Sequence, residues 1–229
     1  GIFDPRNDLK VYLLQNFRWD NAAAGLQPMF RTPTELDYQF DAVNEFKGGN
    51  EYRLLDTRSI RFRTQNVKEI IHEDSIVRFE LFPDQSRQRN TYFSNNDFNG
   101  NFAVEVQEYP RANIEADHVF VRFSLKSPSL IRGHQLYVIG KYNDWALNNE
   151  NQMDYNAAAL RYESEILMKQ GVYDYAFAAK PEGQALDEAM IEGSHAETEN
   201  YYTILVYYHP IGARSSELIG MSHVNFYDR

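Results

Sequence analysis

Leu136-Tyr-Val-Ile-Gly140-Lys-Tyr-Asn-Asp144-Trp145 is an apolar run that stops at a glycine and gives way to a polar loop closed by tryptophan. Arg161-Tyr-Glu-Ser-Glu-Ile-Leu-Met168 follows, and then Lys169-Gln-Gly171-Val-Tyr173-Asp-Tyr175-Ala-Phe177. Each run has the length of a strand, not of a helix, and glycine or an Asn-Asp pair punctuates them. Tyr173, Tyr175 and Phe177 fall at every second position, so they share one face of a strand. This succession of short runs and turns decides the fold class, which is all-β.

The same grammar extends in both directions. Toward the amino terminus, Leu9-Lys-Val11-Tyr-Leu13 and Leu36-Asp-Tyr38-Gln-Phe40 alternate, and residues 52–62 and 77–82 read as further strands. Ala22-Ala-Ala24-Gly25 fits one helical turn or a loop, and Lys47-Gly48-Gly49-Asn50 is a turn because glycine accepts positive φ at no steric cost. Asn99-Gly100 is a favoured pair for a tight hairpin turn, with Phe102-Ala-Val104-Glu-Val106 as the strand after it. Toward the carboxyl terminus, residues 201–208 are strongly β-prone and residues 218–226 offer an edge strand. Residues 181–193 are polar, with Ala185-Leu186 and Ala189-Met190 at helical spacing. Tyr109-Pro110-Arg111-Ala-Asn113-Ile-Glu115-Ala116 is the best linker, since its proline cannot donate to a central ladder. The expected organisation is two consecutive β-sandwiches, residues 2–110 and residues 111–229.

Composition narrows the function. The 229 residues carry a formal charge of -10, so a nucleic-acid partner would require a concentrated basic face. Arg53, Arg58, Arg61 and Arg63 cluster, but acids interleave with them, which reads as a solvated sheet face. There is no cysteine, which removes disulfides and thiolate sites. No apolar run reaches the roughly 18 residues of a membrane span. The chain begins almost directly in a strand-like segment, as an excised or processed fragment would.

Several constellations are candidates for chemistry. The order of strand, Asn-Asp-Trp loop and aromatic strand in residues 133–180 resembles the glycogen-binding, early-set type of immunoglobulin-like module. That resemblance implies a sandwich whose Trp145 stacks on a sugar ring, with Asn143 and Asp144 on hydroxyls and Lys169 nearby. The same residues also fit a core-capping indole over a turn. Asn95-Asn-Asp97-Phe-Asn99-Gly100 has the alternating oxygens of a half calcium loop, but the twelfth position is Val106, and a hairpin turn explains the pattern. His195 has Glu197 and Glu199 close by without any nucleophile in view, and the other histidines lack ligand spacing, so no metal, cofactor or catalytic set is expected. Trp19 with Arg18 and Asp20 reads either as a structural polar corner or as a partner-binding patch, since Trp and Arg are favoured interface anchors.

Longer segments point to a family. They are Leu14-Gln-Asn-Phe-Arg-Trp19-Asp-Asn21, Glu45-Phe-Lys-Gly-Gly-Asn-Glu-Tyr-Arg53 through Asp56, residues 92–100, Gly140 to Trp145, Leu167-Met-Lys-Gln-Gly-Val-Tyr-Asp-Tyr175, and Gly193-Ser-His-Ala-Glu-Thr-Glu-Asn-Tyr201 through Gly220. Taken together they resemble the plug proteins of the type IX secretion system of Bacteroidota. The resemblance implies a non-enzymatic, periplasmic protein associated with the outer membrane. Such a protein seals the periplasmic mouth of an outer-membrane β-barrel translocon by protein–protein contact. Candidate contact residues are Arg18, Trp19, Tyr142 and Trp145, and a glycan held by the Trp145 loop is the competing expectation.

Overall fold

The structure, a computed structural model, describes residues 8–38 and 44–225. Its strands in chain order are β1 (Leu9–Gln15), β2 (Ala23–Leu26), β3 (Phe30–Arg31), β4 (Leu36–Asp37), β5 (Arg53–Asp56), β6 (Val67–Glu73), β7 (Ile76–Leu81), β8 (Phe102–Val104), β9 (His118–Lys126), β10 (His134–Ile139), β11 (Gln152–Asn156), β12 (Arg161–Lys169), β13 (Gly171–Pro181), β14 (Tyr201–Tyr208) and β15 (Glu217–Asn225). Two four-residue helices, α1 (Ala112–Glu115) and α2 (Ala189–Glu192), interrupt them. The all-β expectation holds. No helix among the described residues is long and apolar enough to cross a membrane, which says nothing of β-barrels.

The chain divides into two compact units, one from residues 1–48 with 199–229 and one from residues 49–198. The expected boundary near Pro110 does not coincide with this division. β7 and β9 lie on either side of Pro110 and pair in parallel, with Phe79 opposite Val121. In the terminal unit β1 pairs antiparallel with β14, so Val11 lies opposite Val206 across most of the chain length. Local pattern carries no sign of such distant pairing, whereas a proline between two runs is visible at once.

The terminal unit holds a four-stranded sheet in the order β15-β14-β1-β2 and the separate ribbon β3-β4. Period-two alternation gives this sheet two different faces. Val11, Leu13, Ile204 and Val206 point to one side and pack with Ala23, Leu26, Tyr38 and Phe46. Ala23 and Ala24 belong to a strand, not to the helical turn that was one of the two expectations for them. Gln39, Phe40 and Phe226, expected in strands, lie outside the described residues.

The central unit is built on a nine-stranded sheet ordered β5-β13-β10-β11-β12-β9-β7-β6, with β8 also paired to β13. One core joins Leu55, Leu136, Tyr175 and Phe177 from one end of that order to Phe79, Val121, Phe123 and Ile166 from the other. β13 is buried along most of its length, as a strand with neighbours on both faces requires. The strand expected over residues 52–62 is confined to β5, and the one expected over residues 102–106 to β8. Asn99 and Gly100 both adopt positive φ (53° and 81°), the backbone that a tight turn of this pair demands. Asn101 N donates to Phe98 O, but the turn joins no hairpin, because β8 pairs with β13.

Candidate functional site

The residues singled out from sequence fall into two places. Arg18 and Trp19 belong to the terminal unit, and Tyr142, Asn143, Asp144, Trp145 and Lys169 to the central one.

In the central unit the loop after β10 starts as a 3-10 turn, Lys141–Asn143. Asn143 Oδ1 accepts from Gly140 N at 3.2 Å, and Asp144 and Trp145 both take left-handed φ (50° and 53°). This tight reversal drives the indole inward. Trp145 is 4% exposed and packs with Tyr52, Tyr137, Ile139, Ala176 and Ala178. A Cβ added at Gly100 would lie 3.1 Å from the indole Cζ2, so glycine is needed there for close approach as well as for φ. Lys141 Nζ sits 5.3 Å from the ring centroid and bonds Asp144 Oδ1 at 2.7 Å. A buried indole offers no face to a sugar. Tyr142 is turned the same way, its hydroxyl donating to Val138 O at 3.2 Å. Lys169 ends β12 opposite His118, on a different strand from the loop.

The corner between β1 and β2 is built differently. Arg18 N donates to Gln15 O at 3.1 Å, and Asn16 and Phe17 between them have φ of 54° and 58°. That φ pair is the signature of a type I′ turn, whose second central position is ordinarily glycine. Phe17 there costs about 1–2 kcal/mol relative to a relaxed backbone. The corner is locked from within. Asn16 Nδ2 donates to Asn200 Oδ1 (2.9 Å), Tyr201 N donates to Asn16 Oδ1 (2.9 Å), and Asn200 Nδ2 donates to Gly48 O (2.8 Å). Arg18 is 4% exposed and grips Asp20 with two hydrogen bonds of 3.0 and 2.7 Å. It is therefore part of the frame, not an anchor reaching outward. Trp19 and Phe17 are what the frame displays, at 55% and 46% exposure. Phe17 stacks on Tyr201 at 4.9 Å, and Tyr12 meets both Trp19 and Tyr207 edge-on. Tyr12, Tyr201 and Tyr207 lie on the sheet face opposite Val11, Leu13, Ile204 and Val206.

Two buried ionic features went unnoticed in the sequence. The first is centred on Glu192 at the end of α2. Its Oε1 accepts from Arg53 Nε (3.0 Å) and Phe177 N (2.8 Å), and its Oε2 accepts from Arg53 (3.0 Å) and Arg87 Nε (2.7 Å). Arg53 also donates to Asp84 Oδ1 (2.7 Å), whose Oδ2 receives the Tyr175 hydroxyl (2.9 Å). Arg53 thus leaves the solvated face expected of it and lies only 9% exposed. Burial pushes both carboxyls up. For Glu192 the two guanidiniums outweigh burial and hold it below the usual range, whereas for Asp84 burial prevails. No local motif announces this network, because its members come from β5, the loop after β7, β13 and α2.

The second feature is Asp174, fully buried on β13. Its Oδ2 accepts from Phe98 N (2.5 Å) and Gly100 N (3.1 Å), which ties the Asn99-Gly100 turn to the core. Its Oδ1 is buried with no hydrogen-bond partner among the described residues. Burial, reinforced by the neighbouring Asp97 carboxylate, pushes Asp174 up to about 7 despite the two amide donors. The folded state therefore binds this proton more tightly than the unfolded chain does. Its stabilising contribution is complete below about pH 4 and is lost as pH rises through about 7. Asp174→Asn, which keeps an acceptor for both amides, should gain stability relative to the parent as pH rises from 4 to 8. The expected gain at pH 8 is on the order of 2–4 kcal/mol. Paired denaturation curves across that range check it, and a difference that does not change with pH would refute it.

Among the described residues no group of three or more His, Cys, Asp and Glu side chains could hold a metal ion. His195 lies against Tyr92, ring centroids 5.6 Å apart, with Nε2 buried. No protein-family model matches the chain, and no curated protein matches it. It is similar to the crystal structure of a hypothetical protein from Parabacteroides merdae, at 33% identity and a TM-score of 0.89. That likeness covers 96% of this chain and 56% of the other, so the chain spans little more than half the length of that protein. The likeness carries the all-β architecture and brings no activity with it.

Proposed function

We propose that this protein is a non-enzymatic accessory of the type IX secretion system, a plug that closes the periplasmic end of an outer-membrane β-barrel translocon by protein–protein contact. The observation that carries this reading is the corner between β1 and β2, which holds Phe17 in a strained backbone and displays it beside Trp19. Left-handed backbone at a bulky residue is retained where the surrounding structure over-determines it, and such strain concentrates at functional positions. The corner also lies within one of the segments that resemble the plug proteins, and the others fall in both units. A net charge of -10 would speed engagement with basic groups in a barrel lumen.

Within this reading the central unit is an immunoglobulin-like, early-set sandwich. Support comes from its single core, which draws side chains from β5, β10 and β13 as well as from β7, β9 and β12. The Trp145 loop then serves as a core cap in that sandwich, and the sugar role expected for it has no exposed ring to act through.

The full-length protein, immobilised and exposed to detergent-solubilised outer membranes of a Bacteroidota host, is expected to retain the translocon barrel. Failure to retain it at both low and physiological salt would overturn the reading.

A further inference from the structure

A groove of about 570 Å³ runs along the open edge of β5 in the central unit. Its chemistry follows from three features. The first is the strand edge. Thr57 N donates to Gly171 O and Asp174 N to Asn101 O, which fixes the phase of the ladder. Leu54 and Asp56 therefore turn their backbone groups away from β13, toward the groove. Their carbonyls already accept from Asn66 Nδ2 (2.5 Å) and Thr64 Oγ1 (2.9 Å). An added peptide strand needs alternating donors and acceptors, so this half-occupied edge does not suit one.

The second feature is the floor. Arg53 and Arg87 are tied to Glu192 and Asp84, and Asp56 is tied to Arg58 by bonds of 3.0 and 2.7 Å. Glu51 receives the Tyr92 hydroxyl. The fixed charges are matched internally, which leaves little to attract an ionic ligand. The third feature is the rim. Gln65, Asn90, Thr91 and Asn95 are exposed along the groove, and each brings a donor and an acceptor on one side chain. Phe93 stands among them at 80% exposure.

We propose that this groove binds a neutral oligosaccharide. Vicinal hydroxyls match the paired donors and acceptors of the rim amides, the N–H groups of Leu54 and Asp56 supply further donors, and Phe93 covers the apolar C–H face of a ring. The groove shares no residue with the Trp145 loop or with the β1–β2 corner, so its occupancy stands or falls independently of the plug reading.

Titration calorimetry of the purified protein with maltohexaose, cellohexaose and chitohexaose tests it. At least one is expected to bind, and Phe93→Ala is expected to weaken that binding at least tenfold. Gln65→Ala combined with Asn95→Ala should weaken it similarly. All three positions are exposed, so circular dichroism of the variants should match the parent. No heat with any of the three sugars at millimolar concentration would overturn the proposal. So would binding that neither variant alters.

Discussion

Glu192→Ala is expected to destabilise the protein by about 3–5 kcal/mol, because it removes a buried carboxylate that two guanidiniums share. Glu192 is 3% exposed and accepts hydrogen bonds from two arginines and the backbone of Phe177. With alanine in its place, Arg53 keeps Asp84, Arg87 keeps the Glu51 carbonyl, and the Phe177 amide at the heart of β13 loses its acceptor. A buried, unsatisfied amide adds its own desolvation cost. Glu192→Gln retains shape and some hydrogen bonds, so it should fall between alanine and the parent. The contribution of Glu192 should itself shrink in acid, so the gap between the parent and Glu192→Ala narrows there. A carboxyl whose folded pKa is lowered stabilises fully above its ordinary value near 4.5, and the contribution goes as pH falls through the lower folded value. Urea denaturation of parent and variants at pH 7 and pH 4 reads both effects. A loss below about 1 kcal/mol for Glu192→Ala would show that the network is dispensable.

The two tryptophans provide the second large expectation. Trp145→Ala should cost about 3–5 kcal/mol, the usual price of deleting a buried aromatic. Trp19→Ala should cost less than about 1 kcal/mol, since its ring is more than half exposed. Residue type and substitution are the same, so the contrast isolates burial. It also separates structure from recognition. A glycan-stacking Trp145 would leave stability nearly unchanged on removal, whereas a core cap would not. Thermal melts of the two variants decide between them.

Strand-level pattern was legible in the sequence wherever a segment buries one face or both. β1, β10, β12, β13 and β14 all lie in runs identified from alternation or apolar length. β6 and β11 escaped notice because Val67–Glu73 and Gln152–Asn156 mix charged and apolar residues without a clean period. Division into units was not legible, since it depends on β1 meeting β14. Burial of particular side chains was only half legible. Asn143-Asp144-Trp145 signals a turn, but whether the indole points in or out depends on two successive left-handed residues that the local string does not specify. Arg18 and Trp19 are neighbours in sequence with opposite fates, the guanidinium buried and bonded to Asp20 while the indole remains outside. Glu192 and Asp174 carried no signal at all, as their partners are gathered by the fold from distant segments.

The exposed aromatic corner is the claim most directly open to measurement. Binding of the full-length protein to the purified translocon can be followed by interferometry for the parent and for Phe17→Gly combined with Trp19→Ala. Glycine relaxes the left-handed position, so this variant should fold as well as the parent. A loss of affinity of tenfold or more, with unchanged thermal stability, is the predicted result. Equal affinity of parent and variant would contradict the account.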